Sequence, residues 1–170
     1  FDRVVTVADP NSTETFLAGT GSKKWYLLRE GIALGVGTSP TNNQHWSFGG
    51  VAPLGDRPCV LDDSWTFKSD GTIAFESNGT IFIDTEQFGG WLGDMEGCFD
   101  DTDPTNMTSL LGEDLSAYAS GGDYTYDHDV IGGTLTVNGE GFFIGLPVKT
   151  ADGDSYQLLS TKTYQVIKTA

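Results

Sequence analysis

The chain has 170 residues and a mass of 18.2 kDa, which suits one domain with a sizeable single core. Its formal net charge is −15, and residues 69–148 hold 15 acidic residues without a single Lys or Arg. Nucleic acid and anionic membranes require clustered cations, so neither is an expected partner, whereas neutral ligands and cations are. An acidic surface that only keeps the protein soluble is the alternative explanation. No stretch approaches the ~20 apolar residues that span a bilayer, so no membrane insertion is expected.

An all-β fold is predicted, because 23 residues are glycine, 12% are aromatic, and Thr, Val and Ile recur in short runs between turn residues. Near the N-terminus, Val4–Val7 has the pattern of a strand that runs into a polar turn at Asp9–Thr13. This strand is either an edge strand of the same fold or the end of something else. We assign residues 1–15 to the end of a preceding domain or a linker strand, and residues 16–170 to one β-domain.

Alternating apolar residues around two turns, at Asp70 and Asn78, predict three strands that form a meander. Two irregular, Gly-rich spans, 31–63 and 88–123, interrupt the strands, and the second contains a short predicted helix at Ser109–Leu115. The strands predicted after the N-terminal one are Lys24–Arg29, Ser64–Lys68, Thr72–Glu76, Thr80–Asp84, Tyr124–Asp127, Thr134–Val137, Phe142–Gly145, Tyr156–Ser160 and Tyr164–Lys168. About eight or nine antiparallel strands suffice for a single β-sandwich or a flattened barrel.

The two cysteines, Cys59 and Cys98, have no second thiol near either of them, so the motifs of zinc and redox sites are absent. A disulfide between them closes a loop of 39 residues, which is worth about 4 kcal/mol on the chain-entropy model. It also joins the two irregular spans. Two unrelated buried thiols are the alternative. The scarcity of cysteine, together with the loop tryptophans described below, supports export.

The four tryptophans divide into two groups by their surroundings. Trp25 and Trp65 alternate with other residues in predicted strands, so they are expected in the core. Trp46 and Trp91 lie in Gly-rich segments, where an indole is free to stack on the apolar face of a sugar ring. The neighbouring side chains that suit sugar hydroxyls are Asn43, Gln44 and His45 near Trp46, and Asp94 and Glu96 near Trp91. The alternative is that both indoles plug one end of the fold.

Asp100, Asp101 and Asp103 supply the carboxylates that calcium prefers, so a structural calcium ion is an additional hypothesis, although no cofactor is required. Their spacing lacks the glycine and the distal glutamate of an EF-hand loop, and plainly solvated loop acids are the alternative. No catalysis is expected, because His45 and His128 accompany no nucleophile motif. The many acidic residues leave open the carboxylate pair of a glycoside hydrolase.

Several short motifs resemble lipocalin-like β-domains of secreted bacterial proteins, namely Gly21–Trp25, the hairpin Trp65–Thr72, and Thr134–Val137 with Tyr156–Ser160. Others are similar to modules attached to bacterial laminarinases and surface glycan-binding proteins, namely Leu34–Gly37, His45-Trp46-Ser47 and Asp62–Phe67. Phe1–Asp9 resembles the last strand of a PKD-type immunoglobulin-like domain. The resemblance covers most of residues 16–167 and favours a flattened, lipocalin-like form of the barrel.

The resemblance implies a non-catalytic module that binds a polysaccharide, with a β-glucan such as laminarin favoured. It carries over only Trp46 and its neighbours, and His45 stands where such modules have a second tryptophan. It further implies a monomeric module of a longer exported bacterial protein, either extracellular or attached to the outer membrane at the cell surface. The alternatives are a barrel for a small apolar ligand and a structural or adhesion module.

Overall fold

The computed structural model describes residues 13–29, 34–36, 46–48, 57–84, 92–147 and 158–166, with side chains in 16–29, 57–84, 92–147 and 158–166. These ranges contain the helices α1 (Thr13–Ala18) and α2 (Pro58–Asp62) and a 3-10 turn at Ser116–Tyr118. Their strands are β1 (Ser22–Trp25), β2 (Leu34–Val36), β3 (Trp46–Phe48), β4 (Ser64–Lys68), β5 (Thr72–Glu76), β6 (Thr80–Ile83), β7 (Gly97–Asp100), β8 (Tyr124–Asp129), β9 (Thr134–Asn138) and β10 (Thr161–Gln165).

Six strands form one antiparallel sheet in the order β1-β4-β5-β8-β9-β10. The register sets Trp65 opposite Trp25 on one side and opposite Phe75 on the other. Two further antiparallel pairs, β2-β3 and β6-β7, form separate two-stranded sheets. The prediction of an antiparallel all-β fold is confirmed and is consistent with a sandwich, whereas the described part of the large sheet does not close into a barrel.

The core lies on one face of the six-stranded sheet. Trp65 and Phe67 on β4 and Ile73 and Phe75 on β5 are all buried, which follows from the two-residue period of a strand. The ring of Phe143 meets that of Phe75 edge-on, with 4.9 Å between centroids. Such aromatic contacts add about 0.5 to 1.5 kcal/mol to the burial of each pair. Aromatic side chains therefore fill the space over the centre of the sheet.

The predicted meander is right for β4 and β5 and wrong for its third strand. After the turn at Ser77–Gly79, β6 leaves the large sheet and pairs with β7. In this turn Asn78 adopts a φ of 54°, a left-handed conformation that asparagine tolerates. The Asn78 Nδ2 donates a hydrogen bond to the carbonyl oxygen of Asp62. The turn is thus tied to the end of α2 instead of folding β6 back onto β5.

The helix predicted at Ser109–Leu115 is wrong, because this segment is a tight turn. A β-bridge joins Thr108 to Asp114, and the Ser109 N–H donates to the carbonyl oxygen of Glu113 at 2.9 Å. Gly112 has a φ of 84°, which lies outside the helical region. The apolar pair that suggested a helix, Leu110 and Leu111, is exposed at the tip of the turn.

The strand predicted at Phe142–Gly145 is also wrong, although both of its phenylalanines are buried. Its carbonyl groups accept hydrogen bonds from side chains instead of from a neighbouring strand. The Trp65 Nε1 donates to the carbonyl oxygen of Phe143 at 2.8 Å, and the Lys162 Nζ donates to that of Phe142. These donors satisfy buried backbone groups that a ladder would otherwise have to satisfy.

Two predicted strands begin earlier in the structure than in the sequence pattern, since β1 starts at Ser22 and β10 starts at Thr161. Residues 158–160 of the predicted strand Tyr156–Ser160 are not in a strand, and its first two residues lie outside the described residues. The irregular spans also contain α2 and the strands β2, β3 and β7, none of which the sequence pattern predicted. The strands β2, β3 and β7 are short and hold too few apolar positions for alternation to reveal them.

Helix α1 was likewise not predicted, because its Thr-rich sequence has no apolar period. It crosses the boundary drawn between residues 15 and 16, and it buries Leu17 and Ala18 in the core. The Trp25 Nε1 donates a hydrogen bond to the carbonyl oxygen of Leu17 at 2.8 Å, which ties α1 to β1. Residues 1–12 lie outside the described residues, so their assignment to a preceding domain or linker stays a prediction.

Candidate functional site

Two of the four tryptophans, Trp25 and Trp65, pack in or against the core, as predicted. Trp65 is 2% exposed, and its indole N–H is bonded to the Phe143 carbonyl. Trp25 is half-buried, packs 5.2 Å from the ring of Phe16, and donates to Leu17. Neither indole presents a free face with a free N–H to a ligand. Any stacking platform for a sugar must therefore come from Trp46 and Trp91 or from other aromatic residues.

Trp46 begins β3 and pairs with Val36 of β2, so the segment predicted to be irregular contains a short antiparallel pair. A residue in a strand has a better-defined backbone than one in a loop. The side chain of Trp46, and the residues Asn43, Gln44, His45 and Trp91, lie outside the described part of the structure. Their predicted roles stay predictions.

The disulfide between Cys59 and Cys98 is confirmed, with 5.9 Å between the two Cα atoms. It joins α2 to β7, and therefore joins the first irregular span to the second. The Cys59 N–H also points to the Cys98 Sγ at 3.3 Å. Trp46 precedes Cys59 by 13 residues and Trp91 precedes Cys98 by 7 residues in the sequence. The bond thus limits how far apart the segments that carry these tryptophans lie.

Next to the disulfide, Arg57 forms ion pairs with two carboxylates. The Arg57 Nη2 lies 3.3 Å from the Glu96 Oε1 and 4.0 Å from the Asp84 Oδ2. Its guanidinium also lies over the ring of Phe82, 4.7 Å from the centroid. Glu96, one of the predicted sugar ligands, is thereby held by an ion pair while 43% of its side chain stays exposed. A carboxylate fixed in this way keeps lone pairs for hydroxyl groups.

The turn that follows Trp91 is the described surface closest in sequence to that residue. Asp94 and Met95 are exposed there, and Gly93 has a φ of 69°. A Cβ atom placed on Gly93 would lie 3.4 Å from the Leu110 Cδ1, so Leu110 covers this turn while staying 70% exposed. Carboxylates beside exposed apolar side chains offer the two kinds of contact that a sugar ring makes. The sequence pattern missed Leu110, because it was assigned to a helix.

The three residues predicted to bind calcium do not act as one group. Asp100 and Asp103 are exposed, and each closes a turn by accepting from the N–H and the hydroxyl of a threonine two residues later. Asp101 points the other way and is buried. Among the residues that the structure describes, no group of three or more His, Cys, Asp or Glu side chains has the arrangement of a metal site. Calcium at these three aspartates stays a prediction.

Asp101 belongs to a buried polar cluster that the sequence did not reveal, which we call the Asp63–Asp101 cluster and which comprises Asp63, Ser77, Asp101 and Ser120. The Asp101 Oδ2 accepts from the Ser77 hydroxyl at 2.5 Å and from the Ser120 N–H at 3.2 Å. The two serine hydroxyls are 2.6 Å apart. Asp63 is 2% exposed, and its Oδ1 has no hydrogen-bond partner. Burial, followed by the negative charges of Asp62 and Asp101, raises the pKa of Asp63 to about 8.

A second buried charge, Lys162, lies on the inner face of β10. It is 6% exposed, its Nζ donates to the Phe142 carbonyl oxygen, and the ring of Tyr118 lies 5.8 Å away. Burial lowers the pKa of Lys162 to about 8. The residue type alone does not show whether a polar residue in a strand points into the core or towards solvent. The neighbouring strand β9 could have indicated that Lys162 is buried. Lys162 pairs with Val137, which the alternation of β9 places on the buried face.

Comparison with protein-family models, with curated proteins and with solved structures finds no match to this chain. The structure therefore defines its class by architecture alone, as an antiparallel all-β domain with one disulfide. None of the described helices is long and apolar enough to cross a membrane.

Proposed function

We propose that this protein is a non-catalytic module that binds a polysaccharide. The observation that carries the proposal is the division of its tryptophans: the core uses Trp25 and Trp65, whereas Trp46 and Trp91 belong to segments that the disulfide ties together. Sugar rings offer an apolar face that an indole covers well.

In this proposal Trp46 and Trp91 stack on sugar rings, and their polar neighbours take the hydroxyl groups. The residues proposed for the hydroxyls are Asn43, Gln44, His45, Asp94 and Glu96. Support comes from Asp94, which is exposed, and from Glu96, which the Arg57 guanidinium holds in place. The negative charge of residues 69–148 favours a neutral polysaccharide over an anionic one, because like charges repel. A neutral β-glucan such as laminarin is the ligand class that we favour.

The same proposal places the module in an exported bacterial protein, outside the cell or at its surface. The disulfide supports this location, because disulfides persist in oxidising compartments and are rare in the cytosol. A module of this kind acts as a monomer that is covalently linked to other domains. The aromatic packing over the sheet gives no support to the alternative of an apolar ligand held inside a barrel.

Binding to soluble glucans tests the proposal directly. Trp46→Ala and Trp91→Ala are each expected to weaken laminarin binding by about tenfold or more, because loss of one stacking indole costs roughly 1 to 3 kcal/mol. Affinity-gel electrophoresis and calorimetry measure the change. Neither variant is expected to lower the Tm appreciably, because in this proposal both indoles serve the ligand and not the core.

Tyr26→Ala is the matched control, because Tyr26 is an aromatic residue that is 54% exposed and follows β1. The affinity of Tyr26→Ala for laminarin is expected to equal that of the wild type. If the wild type binds laminarin and none of the three variants changes the affinity, the proposed site is wrong. If no polysaccharide binds at all, a structural or adhesion module becomes the better description.

A further inference from the structure

The Asp63–Asp101 cluster gathers two buried carboxylates around one turn. Asp63 follows α2 and directly precedes β4, while Asp101 directly follows β7. The pairing of β4 with β5 ends at Ser64 and Glu76, so Asp63 and Ser77 are the next residues beyond it on the two strands. The Ser77 hydroxyl in turn donates to the Asp101 carboxylate. Ser77 therefore bonds to Asp101 and lies at the end of the ladder that Asp63 also adjoins.

The charges in the cluster are not balanced. Asp63 and Asp101 are 2% and 6% exposed, and the charge of Asp101 adds to the effect of burial in raising the pKa of Asp63. Asp101 is stabilised by the Ser77 hydroxyl and the Ser120 N–H. The Asp63 Oδ1 has no donor of any kind, although it is fully buried. A buried carboxylate oxygen without a partner costs several kcal/mol unless a proton or a cation meets it.

We propose that the Asp63–Asp101 cluster is a binding site for a single divalent cation of the calcium type, held between the carboxylates of Asp63 and Asp101. Ser77 and Ser120 contribute neutral oxygen atoms beside them. This set contains only oxygen donors, which is the donor preference of calcium and excludes a preference for zinc. The site shares Asp101 with the one predicted at Asp100, Asp101 and Asp103 but leaves out the other two residues, because Asp100 and Asp103 face solvent and close turns.

Such an ion has a structural role. The cluster lies where α2, the β5–β6 turn and the end of β7 meet, and the Ser77 N–H bonds to the Ser120 hydroxyl at 2.7 Å. A cation that binds both carboxylates links these elements in the folded state only. It therefore stabilises the native protein by an amount that rises with its free concentration. The proposal does not depend on whether the protein binds a glycan.

Thermal unfolding of the full chain tests the site after treatment with EGTA. Calcium, added from about 1 µM to about 10 mM, is expected to raise the Tm of the wild type by roughly 5 °C or more at saturation. Sodium chloride at matched ionic strength is expected to leave the Tm unchanged, and magnesium to raise it less, because magnesium demands a stricter octahedral geometry. A wild-type Tm that calcium does not raise beyond these salts overturns the proposal.

Two asparagine variants locate the ion. Asp63→Asn is expected to abolish the calcium effect and to be about as stable as the wild type in EGTA near neutral pH, because burial raises the pKa of Asp63 to about 8 and its carboxyl group is then already neutral. Asp100→Asn is the matched control and is expected to keep the full calcium effect, since Asp100 faces solvent. A calcium effect that survives in Asp63→Asn, or that is lost in Asp100→Asn, places the ion elsewhere and overturns the proposal.

Calcium binding to the wild type by calorimetry keeps the test decisive even if Asp63→Asn does not fold. One ion per chain is expected with Asp100→Asn as with the wild type. A stoichiometry of zero, or a change of stoichiometry in Asp100→Asn, contradicts the assignment.

Discussion

Removal of the Cys59–Cys98 disulfide is expected to lower the free energy of unfolding by about 4 kcal/mol. The bond spans 39 residues, and opening a loop of that length returns a large conformational entropy to the unfolded chain. The bond also has a specific position, because it attaches β7, and with it the two-stranded β6-β7 sheet, to α2. Urea unfolding of the Cys59→Ala, Cys98→Ala double variant measures the change. Its m-value is expected to exceed that of the wild type, because the unfolded chain without the bond exposes more surface.

Wild-type protein unfolded under reducing conditions is the matched control for this variant. Reduction breaks the same bond but keeps both sulfur-bearing side chains, including the buried Cys59. The two measurements should agree to within the packing cost of replacing a buried cysteine with alanine, about 1 kcal/mol. A loss of less than about 1 kcal/mol in the reduced wild type would mean that other contacts already constrain the loop.

The sequence predicted the centre of the fold well, because its strands there are long enough to show alternation. β4, β5, β8 and β9 each contain four or more alternating residues, and Asp70 closes the first hairpin by accepting from the Thr72 N–H at 3.0 Å. The pairing of β6 was not predictable in the same way. Its partner β7 lies 14 residues beyond its end, and the choice between β5 and β7 depends on the long-range disulfide and on the turn at Asn78.

The candidate site residues and the buried charged residues differ in the same way in how far the sequence predicts them. Surface side chains such as Asp94 and Glu96 follow from composition and from their position near an unusual tryptophan. Asp63 and Lys162 do not, because a charged residue in a sequence is most often solvated and only the fold shows that it is buried. The distinction matters for stability, since a buried charge without a counter-charge has a large effect on how the protein responds to pH.

Lys162 is expected to make the protein more stable as the pH rises from about 8 to about 10. Its pKa falls from 10.5 to about 8 on folding, so the unfolded chain binds more protons than the native protein in this range. Below pH 8 Lys162 is charged in both the folded and the unfolded protein, so burying the charge lowers the stability by the full amount. At high pH Lys162 is neutral in both, and this cost disappears. The shift corresponds to about 3 kcal/mol, of which about 2 to 3 kcal/mol is recovered by pH 10.

The variant Lys162→Met isolates this effect, because it keeps the length of the side chain and removes the charge. Chemical denaturation at several pH values should show that its stability relative to the wild type declines by about 2 to 3 kcal/mol between pH 7 and pH 10. The lost hydrogen bond to Phe142 lowers the stability of the variant by a constant amount and does not change this slope. Lys68→Met is the control, because Lys68 is exposed at the end of β4, and its difference from the wild type should stay constant. Parallel pH profiles for the wild type and Lys162→Met would show that the amine reaches water in the folded protein, in which case Lys162 does not behave as a buried charge.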